Sequence, residues 1–274
     1  MISVIARILR PHSPAGYVFL FLSLLSMASL CKASDLTLAV NLGLLPDKAA
    51  VKYQPLLRYL VQVTGKRVRL KAYPNSLAHW EMMRRQGFDM VLDNPAFTAY
   101  RVAKMNYTVI GKLPDVLSFT LVSHVDEMMF EPEELIGRKV ASQPSPSITA
   151  LRLDELFPNP MQQPQFIKAK THAEALDLVI KRRVAGAMVP TGMIGSNQSM
   201  NPIYTSEQIP APGFSVSAKV SPKLRQKIRQ GLLNAHKTAA GRAMLEALNV
   251  PRFETATDAT YAGMEVMLEG LYGY

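Results

Sequence analysis

The sequence predicts an α/β protein in which two lobes enclose a cleft. Short apolar runs alternate with segments of helical periodicity, which is the pattern of parallel strands covered by helices on both faces. This alternation starts twice, and a late strand at Gly213–Ser217 follows a loop rich in Gly, Ser and Asn. We therefore expect one lobe over residues 34–120, to which residues 213–274 return, and a second lobe over residues 121–212.

Residues 1–33 have the composition of a secretory signal peptide. Arg7 and Arg10 give it a basic start, and the apolar run Ala15–Leu30 is short for a membrane span of ~20 residues. Small residues follow the run, so we expect cleavage after residue 33 and a periplasmic protein. Lipidation of Cys31 is the competing interpretation, and the Leu that precedes this cysteine disfavours it because the lipidation site prefers a small residue there.

The charge and cysteine content narrow the classes of function. The 274-residue chain carries 31 Lys and Arg against 21 Asp and Glu, and removal of residues 1–33 leaves 28 basic residues and a net charge of +7. The basic residues are spread along the chain rather than concentrated in one patch with aromatic residues, so we expect no nucleic-acid partner. The single cysteine lies in the signal peptide, so the exported chain needs no disulfide. The charge favours anionic ligands.

The elements of the first lobe follow from apolar periodicity and from Gly and Pro residues. Strands are predicted where short apolar runs end at a turn residue, as at Gly43. Helices are predicted where apolar residues recur every three or four positions, and Gly65 and Gly87 end two of them. In order, we predict strand 36–42, helix 48–63, strand 68–72, helix 77–86, strand 89–92, helix 95–104 and strand 109–111.

The second lobe repeats this alternation after a strand, 118–124, that is long enough to pass between the lobes. Strands Phe119–Ser123 and Gly213–Ser217 are predicted to connect the lobes and to act as the hinge of a closing motion. In order, we predict a helical turn at 132–135, strand 138–141, helix 148–157, strand 166–168, helix 171–183, strand 185–189, a loop over 191–206, strand 213–217 and helices 222–237 and 241–248.

The junction Lys139–Leu156 joins a strand to a helix through a loop rich in Ser and Pro. Ser145 is predicted to cap this helix and Pro146 to take its first position. Together with Ser147 and Thr149, the junction brings hydroxyls, free backbone N–H groups and the positive end of a helix dipole to one point, which favours an anion. The alternative is a Ser-Pro turn that caps the helix with no ligand.

Short phrases along the chain carry a resemblance to a known family. They are Tyr53-Gln54-Pro55-Leu56-Leu57, Gly87-Phe88-Asp89, Asp93-Asn94-Pro95, Gly137-Arg138-Lys139-Val140-Ala141, Thr171-His172-Ala173-Glu174-Ala175 and Pro222-Lys223-Leu224-Arg225-Gln226-Lys227-Ile228. From about Leu36 to Tyr261, the chain resembles the periplasmic substrate-binding proteins of phosphate, phosphite and phosphonate ABC transporters. The resemblance implies a two-lobed type 2 periplasmic binding protein fold, each lobe a mainly parallel sheet flanked by helices.

The resemblance also implies a set of ligand-binding residues. The family's Ser-Thr-Ser-Gly run at the head of the second-lobe helix falls on Ser147, Ile148, Thr149 and Ala150, so two hydroxyls are kept. The family's His near the start of the next helix falls on His172, a donor to an oxyanion. The expected ligand-binding residues are Ser145, Ser147, Thr149, His172, Asn94, Asn75, Ser76, Tyr73 and Thr191.

Departures from the family pattern bear on the ligand. Some members hold a ligand amine with an acid after the strand 185–189, and Pro190-Thr191-Gly192 stands there instead, which argues against an aminophosphonate. Asp93 has two interpretations. It caps the helix that follows, or it faces the cleft, where its charge would repel a dianion.

The sequence contains none of the motifs of an enzyme. Beyond residue 33 there is no G-x-S-x-G, P-loop or G-x-G-x-x-G pattern, and the histidines lack metal-ligand spacing. We therefore expect no catalysis, no metal and no cofactor. The resemblance implies a periplasmic solute-binding protein, which we expect to be a monomer, that captures a small oxyanion for an ABC permease of the inner membrane. The alternative is a sensor or accessory module of the same fold that signals to a membrane partner without transport.

Overall fold

Short strands and helices alternate along the described chain. The computed structural model describes residues 35–195, 198–271 and 274, so the predicted signal peptide lies outside the described residues. The strands are β1 (Leu36–Asn41), β2 (Val68–Ala72), β3 (Met90–Asp93), β4 (Tyr107–Lys112), β5 (Val116–Leu117), β6 (Phe119–His124), β7 (Lys139–Ser142), β8 (Gln165–Lys168), β9 (Gly186–Pro190), β10 (Met200–Thr205), β11 (Ile209–Pro210) and β12 (Gly213–Ser217). The α-helices are α1 (Pro46–Lys52), α2 (Gln54–Thr64), α3 (Ser76–Gln86), α4 (Pro95–Met105), α5 (Ile148–Leu156), α6 (His172–Ile180), α7 (Pro222–Leu233) and α8 (Ala239–Leu248). Of the helices in these ranges, none is both long and apolar enough to cross a membrane.

The strands form two five-stranded sheets. The first has the order β2-β1-β3-β12-β4, in which β12 is antiparallel to both of its neighbours and the other four strands share one direction. The second has the order β10-β6-β9-β7-β8, in which β6 runs against the other four. Two sheets of mostly parallel strands flanked by helices confirm the predicted fold class.

The strands β1 and β3 of the first sheet are buried on both faces. Leu38 of β1 and Leu92 of β3 join a core with residues of α2, α7 and α8, whereas Ala39 and Val91 join a second core that contains Trp80 of α3. Successive side chains of a strand point to opposite faces, so a strand that is apolar at every position is covered on both sides. Trp80 is therefore a packing residue of the core.

The short strands β5 and β11 carry the chain between the two sheets. β5 lies between β4 and β6 in the chain, β11 lies between β10 and β12, and the two pair antiparallel as a separate ribbon. The prediction that strands Phe119–Ser123 and Gly213–Ser217 connect the lobes is wrong, because β6 and β12 each lie within one sheet. A strand of two residues gives no periodic signal, so the sequence did not indicate the ribbon.

Two predicted segments differ in the structure, one a helix that is divided and the other a loop that contains a strand. The helix predicted over 48–63 is the pair α1 and α2, separated at Tyr53, and Pro55 stands in the first turn of α2, where its missing N–H costs no hydrogen bond. The loop predicted over 191–206 contains β10, which pairs with β6 at the edge of the second sheet. Pro202 is compatible with such an edge strand, although proline in a sequence is more typical of a loop.

Candidate functional site

A cavity of about 410 Å³ lies where strand ends of the two sheets meet. Asn41 ends β1, Asn94 follows β3 and Gln143 follows β7, and all three line it. Open α/β sheets bind their ligands at the carboxyl ends of the strands, which is the edge where this cavity lies. The apolar lining residues are Leu42, Leu113, Pro114, Leu117, Phe119, Ile148, Pro190, Met193, Ala211, Pro212, Val250 and Pro251.

The polar lining of the cavity is almost entirely uncharged. It consists of Asn41, Ser76, Asn94, Gln143, Ser147, Thr149, His172 and Asn249, together with the exposed Asp115. Within the described ranges no Lys or Arg lines the cavity. Desolvation by burial lowers the pKa of His172 to about 4, so its imidazole is neutral at pH 7. The groups of the described lining that could hold an anion are therefore neutral donors and helix N-termini.

The start of α5 supplies two buried hydroxyls. Ser147 is the N-cap, and its Oγ accepts a hydrogen bond from the Ala150 N–H (3.2 Å) and donates one to the Gln143 carbonyl (2.8 Å). Serine has a single hydroxyl proton, so Thr149 Oγ1 is the donor in the 3.1 Å contact between the two hydroxyls. Of these two hydroxyls, the one that can donate a hydrogen bond to a ligand oxygen is therefore that of Thr149.

The first sheet contributes three polar side chains to the cavity. Asn94 caps α4 with its Oδ1, which accepts from the Phe97 N–H (3.0 Å), so its amide NH₂ is the donor that it can offer. Asn41 Nδ2 donates to Ser76 Oγ (3.2 Å), and the Ser76 hydroxyl keeps its own proton for another acceptor. Ser76 is the first residue of α3. The positive ends of α3, α4 and α5 therefore all meet the cavity, which favours an anionic ligand.

Gly43 marks the place where the two sides of the cavity approach each other. Its φ is +77°, and a Cβ on it would lie 3.5 Å from both Gln143 Oε1 and His172 Nε2. Gln143 Nε2 donates to the Lys170 carbonyl (3.0 Å), which fixes the orientation of its amide. His172 Nδ1 is buried and has no hydrogen-bond partner among the described residues. Such a nitrogen is costly unless a ligand or a water bonds to it.

Asn75 and Tyr73, which were predicted to bind ligand, lie beside the cavity rather than on its lining. Asn75 caps α3, where its Oδ1 accepts from the Ala78 N–H (2.9 Å), and it lines a small adjoining recess. The Tyr73 ring packs against the rings of His79 and Phe88, with centroids 5.8 and 6.1 Å away. The structure therefore brings Ser76, and not these two residues, to the cavity from the β2–α3 junction.

Ser145 and Thr191 also lie off the lining. The prediction that Ser145 caps α5 is wrong, because the helix begins at residue 148 and its cap is Ser147. Ser145 instead lines a neighbouring cavity of about 190 Å³. Thr191 Oγ1 accepts from Ser118 Oγ (2.8 Å) and lies 2.9 Å from Thr120 Oγ1, so its hydroxyl bonds within the second sheet. Both Ser145 and Ser147 suit a cap, and the sequence pattern did not distinguish them.

Asp93 takes neither of its two predicted roles. It is fully buried, and Arg101 of α4 donates to both of its carboxylate oxygens at 2.6 Å. His79 Nε2 lies 2.9 Å from Oδ2. Burial alone would raise the pKa of Asp93, but Arg101 and His79 together hold it below its ordinary value. The carboxylate is thus neutralised inside the protein, and the next residue, Asn94, caps the helix.

Four polar residues of the lining were not predicted, namely Asn41, Gln143, Asp115 and Asn249. Asn41 and Gln143 could have been predicted from the sequence, because each lies at the end of the first strand of an alternation, where ligand contacts are expected. Asp115 and Asn249 both have positive φ, 69° and 59°, in connections after β4 and α8. These connections are distant in the chain, so only the fold reveals that they reach the same cavity.

A family model described as "ABC transporter, phosphonate, periplasmic substrate-binding protein" matches residues 39–261, which is most of the chain. The chain belongs to this family. Its members are periplasmic proteins that bind a small ligand and work with an ABC transporter permease, so the family is one of binding proteins and not of enzymes. The comparison with curated proteins gives no match.

Solved structures share the fold at low sequence identity. PhnD1 from Prochlorococcus marinus in complex with methylphosphonate gives a TM-score of 0.73 at 12% identity, over 85% of this chain and 97% of that one. A protein from Xanthomonas citri bound to ATP gives 0.72 at 13% identity, over 85% and 95%. A binding-protein component of an ABC phosphonate transporter from Pseudomonas aeruginosa gives 0.69 at 13%, over 84% and 83%. Identities this low show the fold alone.

Proposed function

We propose that this protein captures a small phosphonate-, phosphite- or phosphate-like oxyanion in the periplasm and delivers it to an ABC permease. Export removes residues 1–33. The mature protein acts as a monomer with one lobe over residues 34–120 and 213–274 and the other over residues 121–212. The cavity between the two sheets is the binding site.

The convergence of helix N-termini on one cavity carries this proposal. The first residues of α3 and α6 and the caps of α4 and α5 line it, so positive dipole ends from both sheets point to one place. Anions bind at helix N-termini because free N–H groups and the dipole both favour negative charge. The absence of Lys and Arg from the described lining makes these groups the source of anion affinity.

The donors match the several oxygens of a phosphonate head. Thr149 and Ser76 offer hydroxyl protons, Asn94 offers an amide and His172, as a neutral imidazole, offers one N–H. Hydrogen bonds to a charged acceptor are stronger than those between neutral groups. In the complex, Thr149 therefore donates its hydrogen bond to a ligand oxygen instead of to Ser147.

Closure of the two lobes uses the β5–β11 ribbon as its hinge. The ribbon joins the sheets, and its strands are two residues long, so small changes of φ and ψ there turn one lobe against the other. Gly43, Gln143 and His172 then form the contact at the far side of the cavity.

A thermal-shift screen with phosphate, phosphite, methylphosphonate, sulfate and acetate tests the proposal. A ligand at a hundred times its Kd should add about 2.7 kcal/mol to the free energy of unfolding, which raises Tm. No shift with any phosphorus oxyanion would refute the proposed function.

A matched pair of cap variants assigns the effect to the cavity. Ser147→Ala and Ser221→Ala each remove an N-cap hydroxyl, which accepts from the Ala150 N–H at 3.2 Å and from the Leu224 N–H at 3.4 Å. Loss of the cap should lower stability by about 1 kcal/mol in each variant, and Ser147→Ala also loses the hydrogen bond to the Gln143 carbonyl. Only Ser147→Ala should reduce the Tm shift with ligand, because it weakens the start of α5, which positions Thr149 in the cavity lining, whereas Ser221 lies outside that lining.

A further inference from the structure

The cavity has a polar half and an apolar half, and the strand register of the first sheet shows their separation. Asn41, Asp93, Gly213 and Lys112 lie side by side across β1, β3, β12 and β4. With strands 4.7–4.9 Å apart, the distance from the first to the last of these positions is about 14 Å. The polar lining residues Asn41, Ser76 and Asn94 belong to the β2-β1-β3 end, whereas Leu113, Pro114 and Pro212 flank β4 and β12.

The second sheet shows the same division. Gln143 follows β7 and His172 follows β8, and these two strands are neighbours at one side of the sheet. Phe119 of β6 lies opposite Pro190 of β9, and both line the cavity on the other side. Because Gly43 after β1 approaches Gln143 and His172, the polar sides of the two sheets face each other.

The apolar half lies next to the ribbon between the sheets. Leu117 belongs to β5, and Ala211 directly follows β11. Val250 adds to this half from the connection after α8. Its polar members are Asn249 and Asp115, and Asp115 is exposed. This half therefore offers apolar surface and few hydrogen-bonding groups.

The cavity is larger than a bare oxyanion requires. Its volume of about 410 Å³ falls in the range of ~300–1,000 Å³ that is typical of sites for drug-sized ligands. We propose that the ligand is an amphiphilic oxyanion, an alkyl- or arylphosphonate whose head lies in the polar half and whose uncharged apolar body fills the apolar half. This inference rests on the proposed function, because it assigns a ligand class to the same site.

Because the described lining has no buried acid to pair with it, an ammonium group is disfavoured in the apolar body of the ligand. An ammonium group in the apolar half would lose its hydration, and the one acid of the described lining, Asp115, is exposed to solvent. We expect 2-aminoethylphosphonate to bind at least about tenfold more weakly than propylphosphonate, since one desolvated charge costs more than the 1.4 kcal/mol that corresponds to a factor of ten.

A series of methyl-, propyl-, hexyl- and phenylphosphonate, measured by isothermal titration calorimetry, tests the inference. Each added methylene should lower Kd by about fourfold until the apolar half is filled, the factor that corresponds to about 0.8 kcal/mol per buried CH₂. A Kd that is unchanged or rises with chain length would overturn the inference, as would tighter binding of 2-aminoethylphosphonate than of propylphosphonate. If no phosphonate of any length binds, the proposed function itself fails, so the two failures are distinguishable.

A pair of Val→Phe variants locates the apolar body. Val250→Phe fills part of the apolar half, and Val51→Phe places the same side chain on α1, where Val51 is 77% exposed. Val250→Phe should weaken hexylphosphonate binding at least tenfold and change the Kd of methylphosphonate less than twofold, whereas Val51→Phe should change neither. Equal effects of Val250→Phe on both ligands would overturn the inference. The chain-length series on the unaltered protein decides it even if this variant does not fold.

Discussion

Replacing Thr149 with Val removes one hydroxyl from the cavity and keeps the shape of the side chain. Thr149 is fully buried, and its Oγ1 proton goes to Ser147 Oγ at 3.1 Å. In the proposed complex Thr149 Oγ1 donates its hydrogen bond to a phosphonate oxygen, and a hydrogen bond to a charged group contributes about 1.5–3 kcal/mol. The Kd of methylphosphonate should therefore rise by about 10- to 150-fold.

The same substitution has a smaller effect on stability. Loss of one neutral hydrogen bond should lower the free energy of unfolding by about 1 kcal/mol in urea. Thr64→Val is the matched control, because Thr64 is also a buried threonine, whose Oγ1 donates to the Leu60 carbonyl (2.6 Å), and it does not line the cavity.

Isothermal titration calorimetry of the two variants decides between a ligand contact and a structural role. Thr64→Val should keep the wild-type Kd. A Kd within twofold of wild type in Thr149→Val, or an equal loss of affinity in both variants, would refute the assignment of Thr149 to the site.

Three further predictions concern groups at and beneath the cavity. The pKa of His172, about 4, lies below the ordinary value of 6.5, so the unfolded chain binds this proton first and stability falls as the pH is lowered from 6.5 to 4. His172→Gln should remove roughly 3 kcal/mol of that decline in urea unfolding, and parallel pH profiles would contradict this. Arg101→Met should cost about 3–5 kcal/mol of unfolding free energy, because it leaves the buried carboxylate of Asp93 without its ion pair, and the double variant Asp93→Asn/Arg101→Met should recover part of the loss. A loss below about 1 kcal/mol in the single variant would contradict the pairing. Gly43→Ala should lower the free energy of unfolding by about 1–2 kcal/mol in urea, because alanine is strained at the φ of +77° that this residue adopts. An unchanged free energy of unfolding would contradict this.

The order of strands and helices was predictable because the central strands are buried and mainly apolar, and turn residues separate them from helices of regular periodicity. A strand such as Met90–Asp93, buried on both faces, gives a continuous apolar run that Gly87 and Pro95 delimit on either side. The ribbon of β5 and β11 and the edge strand β10 were missed because they are short or contain polar residues and Pro. Periodicity therefore identified the sheets and not the connection between them.

The lining of the candidate site was predictable only where local sequence and ligand chemistry coincide. Ser147 and Thr149 at the start of a helix and His172 at the start of the next carry a local signal, and the structure brings all three to one cavity. The sequence did not indicate the ion pair of Asp93, because its partner Arg101 is a fully buried arginine eight residues later in an ordinary helix. Contributions from Asp115 and Asn249 depend on long-range packing, for which a single sequence carries no signal.

A crystal structure of the protein with propylphosphonate would show directly where the ligand binds and how it is oriented. We expect phosphonate oxygens within hydrogen-bond distance of Thr149, Ser76 and His172, with the propyl group against Leu117 and Phe119. A phosphonate bound outside this cavity, or bound within it with its oxygens against the apolar half, would refute both the proposed site and the proposed orientation.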